Sequence, residues 1–199
     1  MGKKLNWWAL AASLSLALVL GCLGCGEMGK VDQGRVIAFD KDKETITFII
    51  DVKHDPANPD YSGAPVTFAL PKVASERGED PKAGKRMKLD TKTREIVIYD
   101  EATKGFKKIN YTLIDQKEGV AKNDPLVTGK KFPMVDKAKK TITIYSGRQK
   151  ILTTFSLPEE YFALPDDTWD AGDEVRVYYK EPGKALRFMN ITRTDIFKK

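Results

Sequence analysis

Asp40-Lys41-Asp42-Lys43-Glu44-Thr45-Ile46-Thr47 has a near copy in Asp136-Lys137-Ala138-Lys139-Lys140-Thr141-Ile142-Thr143, and a glycine stands upstream of each, Gly34 and Gly129. A run of Asp and Lys feeding into alternating β-branched residues reads as a turn leading into a strand. Two further matches follow in the same order. Val66-Thr67-Phe68-Ala69-Leu70-Pro71 pairs with Thr153-Thr154-Phe155-Ser156-Leu157-Pro158, and Ala83-Gly84-Lys85-Arg86-Met87-Lys88-Leu89 pairs with Ala171-Gly172-Asp173-Glu174-Val175-Arg176-Val177. Three matches in one order point to two tandem copies of a small β unit, residues 31–118 and 126–199, joined by a charged linker at 119–125.

Working outward, strand residues also fill 35–39, 44–50, 95–99, 140–145 and 174–179, each run short and bounded by Asp, Gly, Lys or Pro. No segment carries an apolar stripe at helical spacing for three turns, so helices should be few and short, at 71–77 and 158–162. The fold class expected is therefore all-β. A meander interrupted once after its third strand resembles the OB-fold type of small barrel, and a two-sheet sandwich would give nearly the same pattern. Alternation puts Val175, Val177 and Tyr179 on one face of their strand, the expected core, with Arg176, Tyr178 and Lys180 on the other. Ile46, Phe48 and Ile50 play the core part in the first copy, Ile142 and Ile144 in the second.

The chain opens differently. Lys3 and Lys4 precede Trp7-Trp8-Ala9-Leu10-Ala11-Ala12-Ser13-Leu14-Ser15-Leu16-Ala17-Leu18-Val19-Leu20, a stretch with no charge, and Gly21-Cys22 follows directly. A positive start, an apolar run and small residues before a cleavage point form a secretory signal. With Val19-Leu20-Gly21-Cys22, this segment resembles the bacterial lipoprotein signal peptides. That resemblance implies cleavage after Gly21, a diacylglycerol on the Cys22 thiol and acylation of the new amino group. It also implies a cell-envelope address, anchored to a membrane, and the outer membrane in a cell with two, since Leu23 is not the aspartate associated with inner-membrane retention. Cys25, behind Gly24, is the rival acceptor. An uncleaved membrane anchor over 5–23 is the other reading, since the run is roughly long enough to span a bilayer of about 30 Å. Residues 1–21 are thus the signal and 22–30 a tether holding the body near the lipid.

Composition narrows the chemistry. The body after Cys25 has no cysteine, which excludes disulfides, cysteine catalysis and cysteine metal sites there. The formal net charge is +6 over 199 residues, two of the cations lie in the signal, and acidic and basic residues alternate. So mild an excess argues against nucleic acid as the partner. His54 is the one histidine, and neither a Gly-x-Ser-x-Gly elbow nor a phosphate-binding glycine loop is present. No cofactor and no metal is expected. Asp51, His54, Asp55, Asn58 and Asp60 fill a loop inserted only in the first copy, and their spacing fits no calcium loop.

Two surfaces remain as candidates. The outward face of Arg176, Tyr178 and Lys180, with Arg187 nearby, combines cations with an aromatic ring and suits phospholipid headgroups, an anionic glycan or an acidic envelope protein. The carboxylates Glu159, Glu160, Asp166, Asp167, Asp170 and Asp173, beside Tyr161, Phe162 and Trp169, offer the alternative of an envelope enzyme acting on glycan or peptidoglycan. That reading requires two of them to share a cleft. The reading favoured from sequence is a lipid-anchored, non-enzymatic binding or assembly module.

Overall fold

The computed structural model describes residues 28–55 and 58–194. Twelve strands run in order through these residues: β1 (Lys30–Asp40), β2 (Thr45–Ile50), β3 (Pro65–Ala69), β4 (Arg86–Asp90), β5 (Glu95–Asp100), β6 (Gly105–Asn110), β7 (Thr112–Lys117), β8 (Met134–Asp136), β9 (Thr141–Ser146), β10 (Ile151–Ser156), β11 (Glu174–Tyr179) and β12 (Ala185–Asn190). They form three antiparallel sheets, ordered β12-β11-β1-β2-β3, β7-β10-β9-β8 and β4-β5-β6. The fold is all-β. The segments expected to be helical hold single 3-10 turns, Ala74–Glu76 and Glu159–Ala163, with another at Asp166–Trp169. Runs of three to five residues between prolines and strands cannot recover the cost of nucleating an α-helix.

The Asp-led turn that reveals the repeat is used more widely than the repeat itself. Asp40 accepts from the backbone N–H of Asp42 and Lys43, Asp90 from Lys92 and Thr93, Asp100 from Ala102, and Asp136 from Lys139. Each of these turns closes on a left-handed residue, Glu44, Arg94, Lys104 or Lys140, with φ between 51° and 58°. Ser146 heads a fifth turn of the same form, ending on Lys150 at φ 54°. The carboxylate satisfies the turn's free N–H groups, so the strand can reverse without a glycine.

Asp90 is the most strongly held of these carboxylates. A hydrogen bond from Lys88 Nζ at 2.8 Å, then the N–H groups of Thr93 and Lys92, keep it far below the usual carboxylate range. A carboxylate depressed in the folded state contributes stability that is complete above its unfolded pKa of about 4 and is lost as pH falls through that value toward the folded one. Asp90→Asn should therefore lower stability by about 1–2 kcal/mol at pH 7. Its thermal midpoint should converge with that of the parent as the pH is lowered below about 4, measured by calorimetry across pH. A constant gap at all pH values would contradict the assignment.

The two copies keep matched strand order, β1 to β5 against β8 to β12, yet they do not form separate bodies. β11 lies against β1 from Lys30↔Tyr179 to Arg35↔Glu174, so the five-stranded sheet takes β1–β3 from residues 31–118 and β11–β12 from residues 126–199. The reciprocal exchange builds the other unit. Leu89, Ile96, Ile98, Ile109 and Tyr111 share one core with Ile142, Ile144, Phe155, Leu157, Phe162 and Trp169. Each packed unit thus draws its opening strands from one half and its closing strands from the other. The linker belongs to this packing as well: Val120 is buried, and its N–H donates to the Lys150 carbonyl.

The halves cross where the matched Ala-Gly pairs meet. Lys85 and Ala171 form an antiparallel bridge, Arg86 N–H donates to the Asp170 carbonyl, and Asp173 N–H donates to that of Lys82. A Cβ on Gly84 would lie 2.5 Å from the Asp170 carbonyl oxygen, and one on Gly172 would collide with that of Val36. Only glycine lets the two backbones approach this closely.

The five-stranded sheet curls around its own inner face, where Val36, Ile46, Phe48, Phe68, Leu70, Val175, Val177, Ala185 and Phe188 form a second core. The end of β3 and the segment after it approach β12 only through isolated parallel bridges, Ala69 with Lys184 and Arg77 with Phe188. No ladder joins them. The OB-like closed barrel expected as one form of the β unit is therefore corrected to open sheets packed as sandwiches. A third cluster, Ile37, Ile49, Tyr61, Met87 and Tyr99, fills the space between the curled sheet and β4-β5.

Candidate functional site

Along β11 the alternation holds: Val175 and Val177 are fully buried, Arg176 is exposed, and Tyr178 is half-buried on the same outward face. Register places Gln33 and Met189 on either side of Arg176, and Val31 and Arg187 on either side of Tyr178. Arg176, Tyr178 and Arg187 thus share one surface. Lys180 is exposed just past the end of β11, at the rim of that surface. The Tyr178 ring lies so close over Gly29 that a Cβ there would collide with it. Arg187 donates through Nε to Glu76 Oε2 at 2.5 Å, and a groove of about 470 Å³ is lined by Glu76, Tyr178, Leu186 and Arg187. Val31, 50% exposed, and Leu186, 46% exposed, add apolar surface beside it.

From this surface a chain of polar contacts runs inward. Arg176 donates through Nη2 to Gln33 Oε1 at 2.8 Å, and the buried Gln33 amide donates to Glu174 Oε1 at 2.9 Å. The other oxygen of Glu174 accepts from Arg148 Nη2 at 2.6 Å. Arg35 lies 4.1 Å over the Tyr61 ring and donates to the carbonyls of Met87 and Arg86. Arg86 donates through Nε to the Trp169 carbonyl at 2.9 Å.

Three guanidinium groups therefore gather where the units meet. Burial pushes Arg86 down to about 9, with the neighbouring Arg35 adding to the effect and Asp170 opposing it. Burial lowers Arg35 also. Against the downward push of burial, Tyr61 and Glu174 hold Arg148 above its ordinary value. The cluster joins sheets to one another: Arg35 reaches from β1 to the backbone of β4, and Arg148 from the β9–β10 turn to β11. These contacts run between sheets, so the cluster reads as a polar joint that holds the exchanged strands in one register.

The carboxylates weighed as a catalytic group are spread over different partners. Glu159 pairs with Lys140, Asp166 with Lys137, and Asp170 with Lys82. Asp173, whose side chain is 8% exposed, accepts through Oδ2 from Lys82 N–H, Asn190 Nδ2 and Arg193 Nε, a structural anchor. Trp169 is fully buried and Phe162 is buried beside it in the core, so neither ring offers a face to a sugar. In the inserted loop Asp51 is fully buried, and its Oδ1 accepts from the N–H groups of Lys53 and Asp60, closing the loop on itself. His54 is exposed with φ 52°. Among the described residues no three His, Cys, Asp or Glu side chains gather as a metal site. Cys22 and Cys25 lie outside the described residues.

Alternation identifies Arg176, Tyr178 and Arg187, but it conceals Glu174, which shares their parity and so reads as solvent-facing. It is covered because the β9–β10 turn carries Arg148 over it. Glu76 is supplied by the 3-10 turn after β3, and no local pattern marks it as the partner of Arg187.

With this geometry in place, one comparison is informative. The family model described as Domain of unknown function (DUF4881) matches residues 27–199, the whole β body. The chain belongs to that family. No curated protein and no solved structure matches the chain. The match begins after both cysteines and includes every residue of the outward face and of the polar joint, so both lie within the DUF4881 region of the chain.

Proposed function

We propose that this chain is a cell-envelope lipoprotein, anchored through acylated Cys22, whose β body serves as a non-enzymatic binding or assembly module. The observation that carries the reading is the pairing of an uncharged run ending in Val19-Leu20-Gly21-Cys22 with a body whose first strand starts at Lys30 beside Tyr179. The short segment between them is a tether, and it leads straight to the face bearing Arg176, Tyr178 and Arg187. The arrangement of that face supports binding: cations, a ring and apolar side chains are presented together on a rigid sheet. The module needs no cofactor in this reading.

Mass spectrometry of the mature N-terminus tests the anchor. A diacylglyceryl-modified Cys22 with the signal removed is expected, and Cys22→Ser should leave an unprocessed chain. An unmodified Cys22 or an intact Met1 in the mature protein would overturn the reading.

A further inference from the structure

We infer that the outward face of β12-β11-β1 docks on the anionic phospholipid surface of the membrane that holds the protein, so that the body lies against the bilayer in one orientation. The inference rests on the lipid anchor at Cys22. Six peptide steps separate Cys22 from Met28, a reach of at most about 20 Å even when fully extended. Met28 is 94% exposed, Gly29 sits under the Tyr178 ring, and Lys30 pairs with Tyr179. The chain therefore joins the body at this face.

What surrounds that point has the composition of an interfacial surface. Met28, Val31 and Leu186 are large exposed apolar side chains, and Tyr178 carries the amphipathic ring that settles at headgroup depth. Arg176 and Lys180 supply exposed cations, and Lys30, beside Tyr179 on the other side of β1, adds one at the rim. Of the acidic side chains nearby, Glu76 is paired with Arg187 and Glu181 with Lys184. Neither the apolar nor the charged element is large. Tethering removes the need for either to be, because a short linker keeps the effective concentration of lipid at the face in the millimolar range or above. A contact too weak to capture a free protein is then enough to set the orientation of an anchored one.

The acylated mature protein carries one tryptophan, the buried Trp169, because Trp7 and Trp8 leave with the signal. Leu186→Trp places a second at the face, and Ile114→Trp places one on exposed β7 in another sheet. Each is reconstituted into vesicles of phosphatidylglycerol and phosphatidylcholine, with and without bromine on the acyl chains near the glycerol. Bromine should quench the added Leu186→Trp emission about twofold and leave that of Ile114→Trp nearly unchanged, since an interfacial side chain sits about 5–10 Å into the headgroup boundary. Arg176→Glu with Lys180→Glu should abolish most of the difference.

Protein that floats with the vesicles but quenches equally at both positions, or at neither, overturns the docking and leaves the anchor intact. Protein that does not float lacks the anchor, and the docking falls with it. A Leu186→Trp emission that responds to added heparin, or to protein concentration alone, while bromine has no effect, assigns the face to a soluble polyanion or to a second copy and likewise overturns the membrane.

Discussion

Glu174→Ala should lower the unfolding free energy by about 1–3 kcal/mol, the cost of leaving the buried Gln33 amide and the part-exposed Arg148 guanidinium without their shared acceptor. Glu174 is 8% exposed and is held from both sides, by Gln33 Nε2 and by Arg148 Nη2. Without it, Arg148 faces Arg35 with no anion between, and Gln33 loses its acceptor. The cost belongs to the unpaired survivors rather than to the pair itself, which gives a sharp corollary. Glu174→Leu combined with Arg148→Met should be less destabilised than the sum of the single variants, by about 1–3 kcal/mol. Urea denaturation of the four proteins measures the coupling. Additive effects would show that the two side chains do not meet in solution as described.

Trp169→Ala should cost more, about 3–5 kcal/mol, because the largest fully buried side chain leaves a void that the sheets can fill only partly. Trp169 shares its core with Ile96 and Ile98 from the first half and Ile142, Ile144 and Phe155 from the second. Its loss weakens the contact between the exchanged portions as well as the transfer energy of the ring. Far-UV circular dichroism in urea is the measurement, since the variant removes the only tryptophan after Trp8. A ring used to stack on sugar would behave in the opposite way, leaving stability within a few tenths of a kcal/mol when truncated, as exposed positions do.

Much of the architecture is legible in the sequence because period-2 alternation reports which face of a strand is buried. β2, β5, β9 and β11 fall within a residue of the expected runs, and Ile46, Phe48, Val175 and Val177 are core. β6 and β7 escape notice for the same reason. Each has at most one buried side chain, Ile109 in β6 and none in β7, and the apolar residues of neither recur at every second position. Ile50 shows the limit of the two-face picture, since its neighbour Ile49 is the fully buried one on the far side of β2, facing Tyr61 and Met87.

Partner choice is what alternation cannot encode. β1 and β11 present the same signals whichever strand they lie beside, and pairing between residues 30 and 179 is a long-range outcome of packing. The duplicated segments suggest two self-contained units for this reason, and the exchange of strands becomes visible only in space. The outward face was legible through Arg176, Tyr178 and Arg187. The polar joint behind it was not, because Gln33, Arg35 and Glu174 are ordinary surface residue types until another part of the chain covers them.

The crossing at Gly84 and Gly172 has a consequence for how the protein is made. A chain delivered from its N-terminus, whether by a ribosome or through an export channel, presents β1 long before β11 exists to pair with it. Until Gly172 can thread against the Val36 carbonyl, the first three strands have one open edge and half a core. Completion therefore waits for nearly the last residue of β12, Asn190, whose side chain donates to Asp173 behind the crossing. The finished five-stranded sheet needs strands from both ends of the chain.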